Sequence, residues 1–292
     1  MRRSGLPLLL VAGALVASCG TSGAPEPSGS LPSIGSPSSP TPSGPTSAPS
    51  PTAAPEPGTV PPPWLGTRPL PTTSAGFGVR RPTPPELRDR SFTLPDSLAP
   101  LPGNEFDAVV ADPAPDDVIA RSTWAPGCPV AATDLDWVRL TFWGFDDQRH
   151  TGELLVNRSV AHDVVEAFRQ LYDARFPIEQ MRISTKAEQT APPTGDGNDT
   201  SAFNCRPVRG ATTYSQHAYG LAVDVNPFQN PYEKGDLVLP ELAGAYTDRS
   251  RRRPGMIFAV GPVVQAFADI GWTWGGTWKA LKDLQHFSQN GR

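Results

Sequence analysis

Residues 20 to 63 contain no aromatic residue and only two charged side chains, Glu26 and Glu56, yet they hold 14 prolines. Such a stretch cannot bury enough apolar surface to offset the entropy of ordering it, so it reads as a disordered Pro/Ser/Thr-rich linker. Apart from the run from Leu6 to Ala17, no apolar segment approaches the length that crosses a bilayer, and the mature chain is not expected to span one. An excess of positive charge is also missing. The 25 basic and 29 acidic side chains leave a formal charge of −4, with no basic block of the kind that binds nucleic acid, so nucleic acid is not an expected partner. Proline and glycine are abundant instead, with 36 and 27 among 292 residues, which excludes one uniform globular domain. All the tryptophan, tyrosine and phenylalanine lies between Trp64 and Arg292, a length sufficient for one well-cored domain.

The N-terminus runs basic, apolar, small, cysteine: Arg2 and Arg3, then Leu6 to Ala17, then Ser18 and Cys19. This order is that of a secretion leader over residues 1–18. It resembles a bacterial lipoprotein signal, in which cleavage precedes the cysteine and its sulfur carries a diacylglyceryl group. That resemblance implies lipidation at Cys19, a membrane partner through the lipid, and a place on the extracytoplasmic face of the cell membrane, with the linker 19–63 as spacer. A plain secretory signal is the alternative. With Cys19 used, two thiols remain, Cys128 and Cys205, in a compartment that favours pairing. A Cys128–Cys205 disulfide is expected, two buried free thiols being the alternative.

Residues 64–119 are rich in proline and charge but include Trp64, Phe77, Phe92 and Phe106, and they read as an ordered, loop-rich extension. From Trp137 to Phe145 the β-branched and aromatic pattern predicts a strand, with Gly152 to Val156 completing a hairpin. Asn157 or Ser159 can cap a helix bearing Val160, Val164, Phe168 and Leu171, with Pro177 marking its end. Met181 to Ile183 and Leu221 to Val225 are further strand candidates, whereas residues 190–201 read as a mobile loop. Pro262 opens a second helix with Val263, Val264, Phe267 and Ile270, and Gly271 stops it. The order suggests an α+β fold without βαβ alternation.

Four histidines make the search for a metal site short. His150 beside the hairpin turn and His162 in the first helix read as solvated or structural. His217 precedes a small-residue turn in Ser215-Gln216-His217-Ala218-Tyr219-Gly220-Leu221-Ala222-Val223-Asp224, and Asp224 emerges on the strand that follows. An imidazole and a carboxylate can be two ligands of zinc, although a hydrogen-bonded His/Asp pair has the same spacing. Near the C-terminus Asp283 precedes His286 by three residues, which on a helical turn puts both on one face. Two His and one Asp leave an open coordination position, the pattern of catalytic zinc, and Asp283 would serve as general base.

The run SxHxxGxAxD, carried by Ser215, His217, Gly220, Ala222 and Asp224, and the later DxxH of Asp283 and His286 resemble the zinc D-alanyl-D-alanine carboxypeptidases and their L-alanyl-D-glutamate endopeptidase relatives, peptidase family M15. The segments Asn198 to Arg206, Asn226 to Tyr232, Pro254 to Ile257 and Gly271 to Trp278 look like the actinobacterial lipoprotein branch, so the resemblance covers about residues 120 to 290. It implies a metallopeptidase domain at 120–292, built on a small antiparallel sheet flanked by helices. Zn2+ would sit on that sheet, held by His217, Asp224 and His286, with Asp283 as catalytic base and Arg206 stabilising the oxyanion. It further implies peptidoglycan stem peptides as substrate and a D,D-carboxypeptidase activity, with endopeptidase action, a non-catalytic zinc or wall-peptide binder and a metal-free structural lipoprotein as alternatives. A monomer is expected. Many relatives carry a glutamate two residues after the final histidine, where this chain has Ser288, which bears on orientation of the site or substrate preference. Trp272, Trp274 and Trp278 read as core or pocket wall.

Overall fold

The computed structural model describes residues 56–208 and 211–292; the leader, Cys19 and most of the linker lie outside the described residues. Ala53–Arg292 forms one compact unit. Its elements in chain order are β1 (Ala108–Ala111), α1 (Asp116–Arg121), β2 (Leu135–Trp143), β3 (Arg149–Asn157), α2 (Ala161–Asp173), β4 (Gln180–Met181), α3 (Lys186–Thr190) and β5 (Asp199–Thr200). There follow β6 (Ala222–Asp224), β7 (Tyr232–Lys234), β8 (Leu237–Leu239), α4 (Pro262–Asp269), β9 (Thr273–Trp274), β10 (Lys282–Asp283) and β11 (His286–Ser288).

The fold is mixed α/β with several small sheets in place of the single sheet expected. Three are antiparallel, in the orders β1-β2-β3, β10-β7-β8 and β6-β11-β9, and β4 pairs β5 in parallel. That parallel pair is joined through α3, so a small βαβ connection exists where none was expected. Two-residue strands carry too little pattern to be seen in sequence. The predicted hairpin is present as β2 and β3, in register from Leu135↔Asn157 to Trp143↔Arg149. Gly152 is required there by close approach, since a Cβ would lie 2.5 Å from the Cβ of Met181.

Alternation along the strands divides the molecule into an apolar and a polar face. Val138, Leu140, Leu154, Val156, Met181, Val223, Val225 and Phe287 pack in one core with Val164, Phe168 and Leu171 of α2 and Val263 and Phe267 of α4. Phe267 stacks on Phe287 at 4.2 Å and meets Phe168 edge-on at 6.1 Å. Helix α2 begins after a 3-10 turn whose cap is Asn157, its side chain accepting from the Ser159 N–H. It ends at Asp173, before the predicted Pro177, because Arg175 takes a left-handed conformation with φ 51°. Residues 190–201 are not a mobile loop. Asp196, Asn198 and Thr200 are buried, and the polar side chains that suggested a loop are consumed in hydrogen bonds: Gly66 N–H donates to Asp196 Oδ2, and Asn198 bridges Glu179 and the Phe228 N–H.

Candidate metal centre

Three strands and one turn assemble the site. Asp224 on β6 stands opposite His286 on β11, and Ser201 pairs with Asp224 from the other side. Continuing the β4–β5 register by one residue sets Arg182 beside Ser201, so Arg182, Ser201, Asp224 and His286 share the polar face. On β11, Phe287 points into the core, which turns His286 the opposite way. His217 belongs to a 3-10 turn, Gln216–Tyr219, that Ser215 caps and Gly220 closes at φ 70°. Gly220 cannot be replaced freely: a Cβ would lie 2.5 Å from the backbone nitrogen of Asn157.

The side-chain tips converge. His217 Nε2 lies 3.1 Å from His286 Nδ1 and 3.2 Å from Asp224 Oδ1, and His286 Nδ1 lies 3.0 Å from Asp224 Oδ1. Both imidazoles are almost fully buried. The remaining nitrogen of each ring faces a backbone carbonyl: His217 Nδ1 is 2.5 Å from Ala202 O and His286 Nε2 is 3.2 Å from Arg292 O. A carbonyl only accepts, so those nitrogens carry the N–H when the rings are neutral. Three acceptors, two imidazole lone pairs and a carboxylate oxygen, are then aimed at one another. Such an arrangement calls for a cation between them, and their spacing is close to the roughly 3.3 Å separating ligands of a tetrahedral zinc with bonds of about 2.0 Å. The group fits a metal ion.

Without an ion, the same groups stabilise one another as charges, so a proton and a cation compete for the site. Burial alone would raise the Asp224 carboxyl, but the adjoining His217 and His286 hold it far below the usual carboxylate range. Burial would lower His286, yet its hydrogen bond to Asp224 raises it. Asp283 is pushed up to about 6, first by burial and then by the charge of Asp224, so both carboxylates feel one another across the site. Its Oδ1 is buried without a hydrogen-bond partner among the described residues.

Asp283 does not reach the site from a helical turn. It lies on β10 opposite Tyr232, and His286 lies on β11 opposite Asp224; these two ladders demand extended backbone, and helical spacing alone could not outweigh them. Cys128 and Cys205 form a disulfide. Cys205 is joined to His217 through its neighbour, since Asn204 N–H donates to the His217 carbonyl. Arg206 follows directly, with Nη1 3.4 Å from the Pro207 carbonyl. Trp272 and Trp274 are core, whereas the Trp278 ring lies 5.4 Å from that of His286 and its Nε1 donates to Gly291 O. Ser288 is fully buried, with Oγ unpartnered among the described residues. His162 is exposed on α2, and His150 is held between Asp96 and Asp146. Sequence reasoning missed Ala202, which orients His217 through its backbone, since a carbonyl has no sequence signature; Arg182 shares the polar face through strand register, but its guanidinium pairs with Glu188 and Asp199.

Residues 209–289 match the family model described as D-alanyl-D-alanine carboxypeptidase. The matched segment contains His217, Asp224, Asp283 and His286 and leaves Arg206 outside. It supports the peptidase family M15 resemblance and a peptidase of this kind. No curated protein and no solved structure matches the chain.

Proposed function

We propose that this chain is a zinc-dependent peptidase that removes the terminal residue of peptidoglycan stem peptides, as a D-alanyl-D-alanine carboxypeptidase. The observation that carries the reading is the meeting of His217, Asp224 and His286 within 3.2 Å of one another, with the half-buried carboxylate of Asp283 acting on Asp224 and His286. The two imidazoles and Asp224 would hold the ion through Nε2, Nδ1 and Oδ1. When bound, zinc supplies Lewis-acid polarisation of a carbonyl and lowers the pKa of a water. Asp283 takes a proton from the attacking water as its oxygen bonds to the scissile carbonyl carbon, then returns it to the nitrogen as the C–N bond breaks. The Arg206 guanidinium would steady charge on the carbonyl oxygen. No covalent enzyme intermediate is needed.

The leader and Cys19 support a lipid-anchored position on the outer face of the cell membrane, where stem peptides are found. Incubating the protein with defined muropeptides and weighing the products tests the reading. Loss of one alanine is expected; cleavage between the first two stem residues would make it an endopeptidase, and no cleavage with zinc bound would overturn the proposal. Asp283→Ala should lower turnover by about 10²- to 10⁴-fold while zinc still binds in stoichiometric amount.

A further inference from the structure

Away from the metal centre, arginines gather around the short turn Ala243–Tyr246. The Arg80 guanidinium lies against Gly244, Arg253 donates to the Ala245 carbonyl, and Arg88 donates to Thr83, whose hydroxyl in turn bonds Leu242 O. Asp89 pairs with both Arg251 and Arg253. Arg80, Arg81, Arg88, Arg251 and Arg252 are exposed, and among the described residues Arg81 and Arg252 make no ion pair. A concentration of this kind is unexpected on a chain whose formal charge is −4. Its acids are Glu86, Asp89, Glu233 and Asp248, against Arg80, Arg81, Arg88, Arg249, Arg251, Arg252 and Arg253, so the basic side chains outnumber them.

An apolar edge adjoins it. Arg252 stacks over Phe258 at 4.2 Å, and both line a groove of about 300 Å³ with Val260. Val260 is 93% exposed, far more than any other exposed large apolar residue described. Water gains nothing from such a residue, and none of the described residues covers it.

We propose that this face, with Arg80, Arg81, Arg251 and Arg252 around it and Val260 at its rim, docks on an anionic lipid bilayer. Cations beside an exposed aliphatic tip match the two layers of such a surface, with phosphate outside and acyl chain beneath. A soluble phosphate polymer would satisfy the arginines but leave Val260 in water. The inference rests neither on the peptidase reading nor on Cys19.

The test uses the chain from residue 20 onward, which contains the whole compact unit and cannot be acylated at Cys19. It should sediment with phosphatidylcholine vesicles only when phosphatidylglycerol is included, and less as salt is raised. Neutralising Arg81 and Arg252 together should weaken binding about 25-fold, at roughly fivefold for each arginine. Val260→Asn, at an exposed position that leaves folding intact and the charge unchanged, should also weaken vesicle binding while leaving any affinity for soluble polyphosphate unchanged. Three results would each overturn the proposal: equal binding to neutral vesicles, no binding at low salt, or vesicle binding indifferent to Val260→Asn. Unchanged melting temperatures for the variants keep the comparison one of surface.

Discussion

His217 and His286 present different ring nitrogens to one point, Nε2 from the first and Nδ1 from the second. The choice follows from where each ring finds its other partner. His217 leans on the Ala202 carbonyl through Nδ1, and His286 reaches the Arg292 carbonyl through Nε2. Each contact fixes a tautomer, so the ligand lone pair is presented without further ordering. Asp224 contributes the only negative charge in the triangle. Asp224→Asn should therefore keep the shape and lose the ion, weakening zinc more than the roughly 100-fold that losing an outer-shell partner costs. Competition with a chromogenic chelator measures this, with exposed His162→Ala as the unaffected control. Parent-like zinc affinity in the Asp224→Asn protein would remove Asp224 from the ligand set.

At the scale of elements, legibility tracked length. The stripe Val160, Val164, Phe168 and Leu171 and the nine-residue strands of the hairpin show their period in sequence, because each repeats often enough to be recognised. The metal ligands could be named from motif and resemblance, and the strand of Asp224 was legible as Leu221 to Val225, yet the strands holding Asp283 and His286 were not: β10 and β11 are two and three residues long and exist through pairing with β7 and β6. The hairpin turn shows a different kind of coupling. His150 beside it bonds Asp96 of the extension at 2.9 Å and Asp146 of the turn at 3.1 Å. The Asp96 hydrogen bond, opposed by burial and reinforced by Asp146, raises the His150 pKa above its ordinary 6.5. A base stabilised in its charged form when folded contributes fully below the unfolded value and loses that contribution as pH rises through the folded one. The stability lost in His150→Gln should thus be larger at about pH 5.5 than at about pH 9, as read from denaturant midpoints. An equal loss at both pH values would show that the imidazolium contributes nothing.

Across the whole molecule, the segment before β1 is part of the compact unit even though it has almost no regular structure. Leu87 and Phe92 enter a core with Phe228, Leu242 and Tyr246. The attachment is also ionic: Arg90, 1% exposed, makes a two-pronged bond to fully buried Glu179, donates to the Asp196 carbonyl, and lies over the Phe228 ring at 4.5 Å. Asn198 completes Glu179. No periodicity could announce this pair, since its members are 89 residues apart. Removing one partner strands a charge where water cannot reach it, which costs about 3–5 kcal/mol, whereas replacing both with apolar side chains removes the desolvation penalty along with the attraction. Arg90→Met and Glu179→Met should each destabilise by that amount, and the double variant by less than the sum, with coupling of at least about 1 kcal/mol. Urea unfolding of the four proteins measures the cycle. Additive losses would mean that Arg90 holds the extension through Asp196 and the phenylalanines rather than through Glu179.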